Sequence, residues 1–317
     1  MRVFRSLSVL AIAVLPAAAM PTEFQPELPA KAVYADPLLE QLRFQIADKK
    51  RMKATVKIGD GPDLAFIVDT GAERSAIATE TATALALPAS GSLRVVSFDG
   101  SGTVPTVRIS GFQFGKSRSR NLDALTFSRS SLGADGLLGV DSLKGKVVTF
   151  DFDDSEMRIE QGSSLRAQGD GAILVEAAQK DGRLVFSTAR VNRIPTAMIL
   201  DTGSDLTIGN DALRRVLQGR GQLDYIRTVR LLTTTGQVMR LDYTIIESAQ
   251  FGPVRVRNLP IAFSTTEPFE ELGLSKKPAI LLGMDALRAF GEVSVDFRRH
   301  QVRFSPKRMP RQVAMKE

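Results

Sequence analysis

The chain has no cysteine, no tryptophan, three tyrosines and one histidine among its 317 residues. Without cysteine there can be no thiol nucleophile, thiolate metal centre or disulfide. The one histidine, His300, lies in the charged run FRRHQVRF. A Ser-His-Asp triad would have to use it, and no G-x-S-x-G accompanies it. His300 is therefore read as a solvated strand or turn residue. Carboxylates, hydroxyls and amines remain as candidate catalysts. No metal or cofactor is expected, since the acidic cluster Asp151-Phe152-Asp153-Asp154 lacks an EF-hand pattern and reads as a solvated turn. The scarcity of aromatics also weighs against nucleic acid, because the basic residues form no aromatic-interleaved patch. The net charge of +7 sits partly in peripheral segments, at Arg2, Arg5 and the C-terminal PKRMPRQVAMKE. Contact with an anionic envelope surface is a reading this charge allows.

Long apolar runs are also missing. The N-terminal MRVFR followed by SLSVLAIAVL and Ala17-Ala18-Ala19 reads as a signal peptide over 1–19. Its apolar stretch, about thirteen residues, is too short to span a bilayer as a helix. Export is expected, to a bacterial periplasm, with an uncleaved anchor as the other reading. No cysteine follows the apolar run, which excludes a lipoprotein. Residues 20–49 read as an extension on the surface. QLRFQIADKKR could instead be an inhibitory pro-segment.

What is present is a repeat. AFIVDTGAERSAI at 65–77 matches AMILDTGSDLTIG at 197–209, with a hydroxyl residue, Ser75 or Thr207, six places after each aspartate. Short helical patterns follow, TETATALAL and NDALRRVLQG. DGLLGVDSLKGKVVTFDF at 135–152 matches AILLGMDALRAFGEVSVDF at 279–297, the second copy holding one extra residue at Ala289 or Phe290. Between these anchors each half carries a hairpin signal and a segment built on Phe-Gly and Asn-Leu. The Asp-Thr-Gly motifs stand 132 residues apart and the Leu-Leu-Gly glycines 144. Alternating or short apolar runs rich in Val, Ile, Thr and Phe are strand grammar. The chain therefore divides into an all-β lobe at 50–162, a polar linker at 163–171, a second lobe at 172–306 and a basic tail at 307–317.

Chemistry assigns work to the repeated loop. An apolar strand delivers a carboxylate at its end, Asp69 in one half and Asp201 in the other. Two carboxylates held close together cannot both ionise easily, so they share a proton. The ionised one can act as general base on a water, and the protonated one can donate to a carbonyl oxygen. Gly71 and Gly203 allow tight backbone geometry and close amide donors. The hydroxyls of Thr70 and Thr202 need buried partners, naturally the backbone of the opposite loop. Ser204 could donate to the outer oxygen of Asp201, where Ala72 offers Asp69 nothing similar. That asymmetry would favour a negative Asp201.

At these residues the sequence resembles the pepsin and retropepsin superfamily of aspartic peptidases, and each half is similar to bacterial retropepsin-like domains, here in tandem. The resemblance covers roughly 50–306. It implies two β-barrel lobes with a catalytic cleft between them, Asp69 and Asp201 as the catalytic pair, and Leu137-Leu138-Gly139 and Leu281-Leu282-Gly283 threading behind the catalytic loops. It also implies a flap over bound peptide. The candidate is Ser97, Phe98, Asp99, Gly100, Ser101, Gly102, Thr103 and Val104, with Thr233–Val238 as its counterpart. The first hairpin lacks the tyrosine of the pepsin flap. Ala72 follows the retroviral pattern and Ser204 the pepsin one. The expected function is aspartic endopeptidase activity in a monomer acting on peptide or protein. The competing reading is a catalytically silent periplasmic peptide-binding or scaffold protein. Asp141 and Asp285 are expected to cap short helices, and Asp151 and Asp296 to be structural hydrogen-bonding residues.

Overall fold

The computed structural model describes residues 7–8, 12–14 and 52–308, apart from 98–99, 116, 119–120, 162–164, 167–170, 181–182, 187, 224–225, 234–237 and 265–266. The extension 20–49, most of the expected linker and the tail beyond Arg308 lie outside the described residues.

Each half is built on one continuous sheet. In the first, the strand Leu64–Val68 carries alternate and then consecutive buried residues toward Asp69, and it pairs in parallel with Gly136–Leu138 so that Leu138 stands beside Val68. The strand Ala76–Ala78, leaving the Asp-Thr-Gly loop, runs antiparallel along the other side of Gly136–Leu138. The second half repeats this arrangement. Ala197–Leu200 pairs in parallel with Ala279–Leu282, Leu282 beside Leu200, and Ile208–Asn210 lies antiparallel on the far side. Central strands this deeply buried read as continuous apolar runs, such as AILL. The described pairings close neither sheet into a ring. The lobes are therefore two extensive sheets, with a closed barrel not formed by the described strands.

A third sheet belongs to both halves. Its order is Glu156–Gln161, Lys146–Asp151, Glu292–Asp296, Gln301–Ser305 and Ile173–Glu176. The two copies of the repeated strand, VVTFD and VSVD, pair with each other antiparallel around Thr149 and Ser294, whose hydroxyls lie 2.9 Å apart. Val148, Phe150, Val293 and Val295 bury the sheet's inner face. A repeat that pairs with its own copy antiparallel about equivalent residues is what a two-fold relation between halves produces. At the ends of these strands, Asp296 accepts from the Arg298 and Arg299 amides, and Asp151 from the Asp154 amide. The acidic turn after Asp151 is not simply solvated. Arg308 reaches Asp151 at 3.0 Å, Asp154 at 2.7 Å and Asp153 at 3.3 Å, tying the start of the basic tail to the first half. His300 sits at a turn with φ 55°.

The two helical patterns form helices at Thr79–Ala84 and Asp211–Gly219. The second is capped by the Asn210 side chain, which accepts from the Leu213 amide at 2.9 Å, and buries Ala212, Leu213 and Leu217. The extra residue of the second copy widens a turn that presses Phe290 onto Phe304, ring centres 4.9 Å apart.

Both hairpins are present, Ala89–Ser97 with Gly100–Ile109 and Arg227–Thr233 with Val238–Phe251. The tips at 98–99 and 234–237 lie outside the described residues. Part of the expected leader pairs with both: Leu7–Ser8 runs parallel to Val95–Val96, and Ile12–Val14 antiparallel to Leu231–Thr233. Among the described residues no helix is long and apolar enough to cross a membrane.

Candidate active site

Asp69 and Asp201 stand where their strands end, each with its amide bonded to the neighbouring Leu-Leu-Gly strand, Asp69 to the Leu138 carbonyl at 2.9 Å and Asp201 to the Leu282 carbonyl at 3.0 Å. Both are fully buried. The loops after them turn their amides inward onto the carboxylates. Gly71 and Ala72 donate to Asp69 Oδ1 at 2.8 and 3.0 Å, and Gly203 donates to Asp201 Oδ1 at 3.0 Å.

The loops are fastened to one another through the two threonines. Thr70 Oγ1 donates to the Leu200 carbonyl at 3.0 Å and accepts from the Thr202 amide at 3.0 Å. Thr202 Oγ1 donates to the Val68 carbonyl at 2.9 Å and accepts from the Thr70 amide at 3.0 Å. Each hydroxyl thus satisfies one donor and one acceptor of the other half. The approach is close: a side-chain carbon on Gly203 would fall 2.1 Å from the carboxyl carbon of Asp69. Only glycine lets the second loop lie against the first carboxylate.

A second layer supports each loop from behind. Ser75 Oγ donates to Asp141 Oδ1 at 2.7 Å and accepts from the Gly139 amide at 3.0 Å. Thr207 Oγ1 does the same with Asp285 Oδ1 at 2.7 Å and the Gly283 amide at 3.1 Å. Gly139 and Gly283 pass so near the loops that a Cβ would lie 2.4 Å from a backbone atom of Arg74 or Leu206. The hydroxyl six places after each Asp therefore bolts the loop to the Leu-Leu-Gly thread. Asp141 and Asp285 are not helix N-caps. Gly139 and Gly283 hold those positions, and the acids, two residues later in the first turn, reach back to the loop.

Ser204 also departs from expectation. Its hydroxyl donates to the Leu206 carbonyl at 2.6 Å, and so is not available to Asp201. The asymmetry expected from Ala72 against Ser204 is absent at the side-chain level, because both carboxylates are served by backbone amides. Burial, then the negative charge of Asp69, holds the Asp201 carboxyl well above the usual carboxylate range, against the opposing pull of the Gly203 amide, Arg183 and the Ser204 amide. A buried pair in which one carboxyl keeps its proton and the other is ionised, each served by the amides of its own loop, can both give and take a proton.

Arg183 was missed in the sequence. It opens the strand Arg183–Phe186 of the second half, is 1% exposed, and donates from Nε to the Gly71 carbonyl of the first half at 3.0 Å. A signal existed: Arg183 precedes Asp201 by eighteen residues, and Arg51 precedes Asp69 by the same number. Arg51 lies outside the described residues. Of the flap candidate, Ser97 and Gly100 pair at the hairpin end, Ser101, Gly102 and Thr103 are exposed, and Phe98 and Asp99 lie outside the described residues. Val104, with Val95 and Leu93, packs on the small cluster that contains Ala72, joining the hairpin to the first loop. Among the described residues no group of His, Cys, Asp and Glu could hold a metal ion.

No curated protein matches the chain. A solved structure of a retropepsin-like aspartic protease from Rickettsia conorii is 21% identical to it, over 42% of this chain and 89% of that one, with a TM-score of 0.31. The family model for aspartyl proteases matches twice, at residues 54–142 and 187–286, each match enclosing one Asp-Thr-Gly and one Leu-Leu-Gly. With both halves matched over more than half of its length, the chain belongs to the aspartyl protease family.

Proposed function

We propose that this protein is an aspartic endopeptidase whose site is completed within one chain. The observation that carries the reading is the reciprocal threonine grip, which fixes two buried carboxylates against each other from the two halves. The proton of the pair resides on Asp201, and Asp69, accepting the Gly71 and Ala72 amides, is the base. Asp69 takes a proton from water as the water oxygen bonds to the scissile carbonyl carbon, and Asp201 gives its proton to the carbonyl oxygen. Collapse of the tetrahedral species breaks the C–N bond, with the proton from Asp69 passing to the leaving nitrogen and one from the hydroxyls returning to Asp201.

The substrate is an extended peptide. Both hairpins offer backbone edges that extended chain can join, as Leu7–Ser8 and Ile12–Val14 do. A leader removed on export, which the N-terminal charge and apolar run support, would leave both edges open to substrate. The protein is then a periplasmic monomer, with a basic surface compatible with peripheral contact to an anionic envelope.

Digestion of a peptide library by the full chain, from acid to neutral pH, tests this. Cleavage blocked by a transition-state mimic with a hydroxyl at the scissile position, and lost in Asp201→Asn, is the expected result. A folded wild type that cuts nothing, yet holds peptides, would replace the enzyme by the peptide-binding reading.

A further inference from the structure

Arg183 is the largest of the fully buried side chains, and it lies against the loop that follows Asp69. Its Nε is used on the Gly71 carbonyl, while Nη2 is buried with no hydrogen-bond partner. Among the described residues it forms no ion pair with any carboxylate within hydrogen-bonding reach, unlike Arg108, Arg129 or Arg214. A guanidinium cannot shed its proton to escape burial. A buried cation without a counter-charge is strongly unfavourable. The nearby groups able to supply that charge are the two aspartates, since Arg183 bears directly on Asp201 and holds the loop of Asp69 through Gly71. The other ionisable groups of the loops act elsewhere or at the rim: Asp205 on Asp285, Arg74 on Asp141, and Glu73 partly exposed.

Counting charge then fixes the state of the pair. With both carboxyls protonated, the buried cluster is +1. With both ionised it is −1, and two buried anions repel each other. With one proton shared it is neutral. We infer that Arg183 is a positioning residue whose buried charge makes the singly protonated aspartate pair the resting state, while its Nε–H fixes the Gly71 carbonyl and with it the loop that aims amides at Asp69. The inference rests on reading Asp69 and Asp201 as the catalytic pair. It assigns the acidic limit of activity to a residue of the second half outside both Asp-Thr-Gly motifs.

The test compares Arg183→Gln, neutral but able to donate to Gly71, with Arg183→Lys, which keeps the charge. Carboxyl-carbon NMR of full-length protein with isotope-labelled aspartate reads the ionisation of the pair directly, resonances being assigned with Asp69→Asn and Asp201→Asn. In Arg183→Gln the first ionisation should move up by about one pH unit or more, a tenfold change in the constant. The acidic limb of kcat should follow it, with kcat near that limb reduced about tenfold and KM changed little. Arg183→Lys should keep both near the wild-type position. An unmoved ionisation in Arg183→Gln, or an equal move in Arg183→Lys, overturns the inference even if the wild type cleaves peptides. A shifted ionisation in a protein that cleaves nothing supports the charge balance and removes the peptidase reading instead.

Discussion

The loop after Asp69 and the loop after Asp201 share one set of threonine bonds across the axis and one brace behind each aspartate, and differ in their remaining partners. Thr70 and Thr202 make the same four bonds at 2.9–3.0 Å, and Ser75 and Thr207 make the same pair to Asp and Gly. Elsewhere each loop has its own partners. Arg183 takes the Gly71 carbonyl of the first, and the Ser204 hydroxyl folds back on Leu206 in the second. A duplicated chain is constrained at its shared axis. Contacts across the axis bind each copy to the other, so a change on one side must be answered on the other. Off the axis each copy meets surroundings of its own, and a single chain never has to match itself.

Damage to one half at a time should disable the whole site. Asp69→Asn and Asp201→Asn should each lower hydrolysis by about 10³-fold or more while leaving the fold intact. Mixing the two inactive proteins should recover nothing, because every chain carries one damaged half. Recovered activity on mixing, or specific activity that falls on dilution, would show that the halves pair between chains.

Gly203→Ala tests the closeness of approach. The new methyl must occupy space now filled by the Asp69 carboxyl, 2.1 Å from its carbon. No side chain can retreat, since Asp69 is held by two amides. Activity should fall at least about a hundredfold, a cost comparable to misplacing a reacting group by an ångström. Near-normal kcat would mean the carboxylates are not required at this separation.

The threonine grip should fail equally from either side. Thr70→Val and Thr202→Val each keep the shape but strand one buried amide and one buried carbonyl of the opposite half, costing about 2–4 kcal/mol in denaturant unfolding. Equal losses support a symmetric grip. A loss confined to one variant would place the axis elsewhere.

Much of this was readable from sequence, and for a physical reason. The motif pairs, the apolar strands ahead of each aspartate and the threonines' need for partners are local or repeated features, and the structure assembles them as two similar sheets. What escaped reading was relational. That VVTFD and VSVD would pair with each other in a shared sheet depends on how the halves dock, which periodicity within either strand does not encode. Asp141 and Asp285 look like helix caps because they sit at helix starts, yet the loop they brace lies more than sixty residues away in sequence. Arg183 lies outside both repeated motifs, and the partner that explains its burial, the Gly71 carbonyl, belongs to the other half.

The bracing acids offer a quieter contrast. Burial pushes Asp285 up to about 6, with Asp205 adding to the rise, whereas Asp141, also raised by burial, is opposed by the Ser75 hydrogen bonds and then by Arg74. A carboxyl raised above its unfolded value near 3.9 binds its proton more tightly in the fold. Stability should therefore be fullest below about pH 4 and fall as pH rises toward 6. For Asp285 the loss is about 2 kcal/mol, discounted from the full shift because the residue keeps some contact with solvent. Unfolding measured across this range should flatten in Asp285→Asn and change less in Asp141→Asn. A stability that rises between pH 4 and 6 through Asp285 would reverse the sign.

The smallest expected effect tests the one place where the two Asp-Thr-Gly motifs differ by a hydroxyl. Read as sequence, Ser204 should steady a negative Asp201, and Ser204→Ala should move the acidic limb of activity upward. In the structure the hydroxyl is buried and spends its only proton on the Leu206 carbonyl at 2.6 Å. Asp201 receives backbone amides, which alanine supplies equally well, as Ala72 already does for Asp69. Ser204→Ala should therefore leave the acidic limb in place and cost about 1 kcal/mol of stability for the lost local bond. The pH dependence of kcat and a denaturant titration of the same variant separate the two roles. A limb that moves upward without a loss of stability would return the hydroxyl to Asp201. A limb that stays while the fold weakens makes the serine a brace of its own loop, and the two motifs equivalent toward the aspartates they carry.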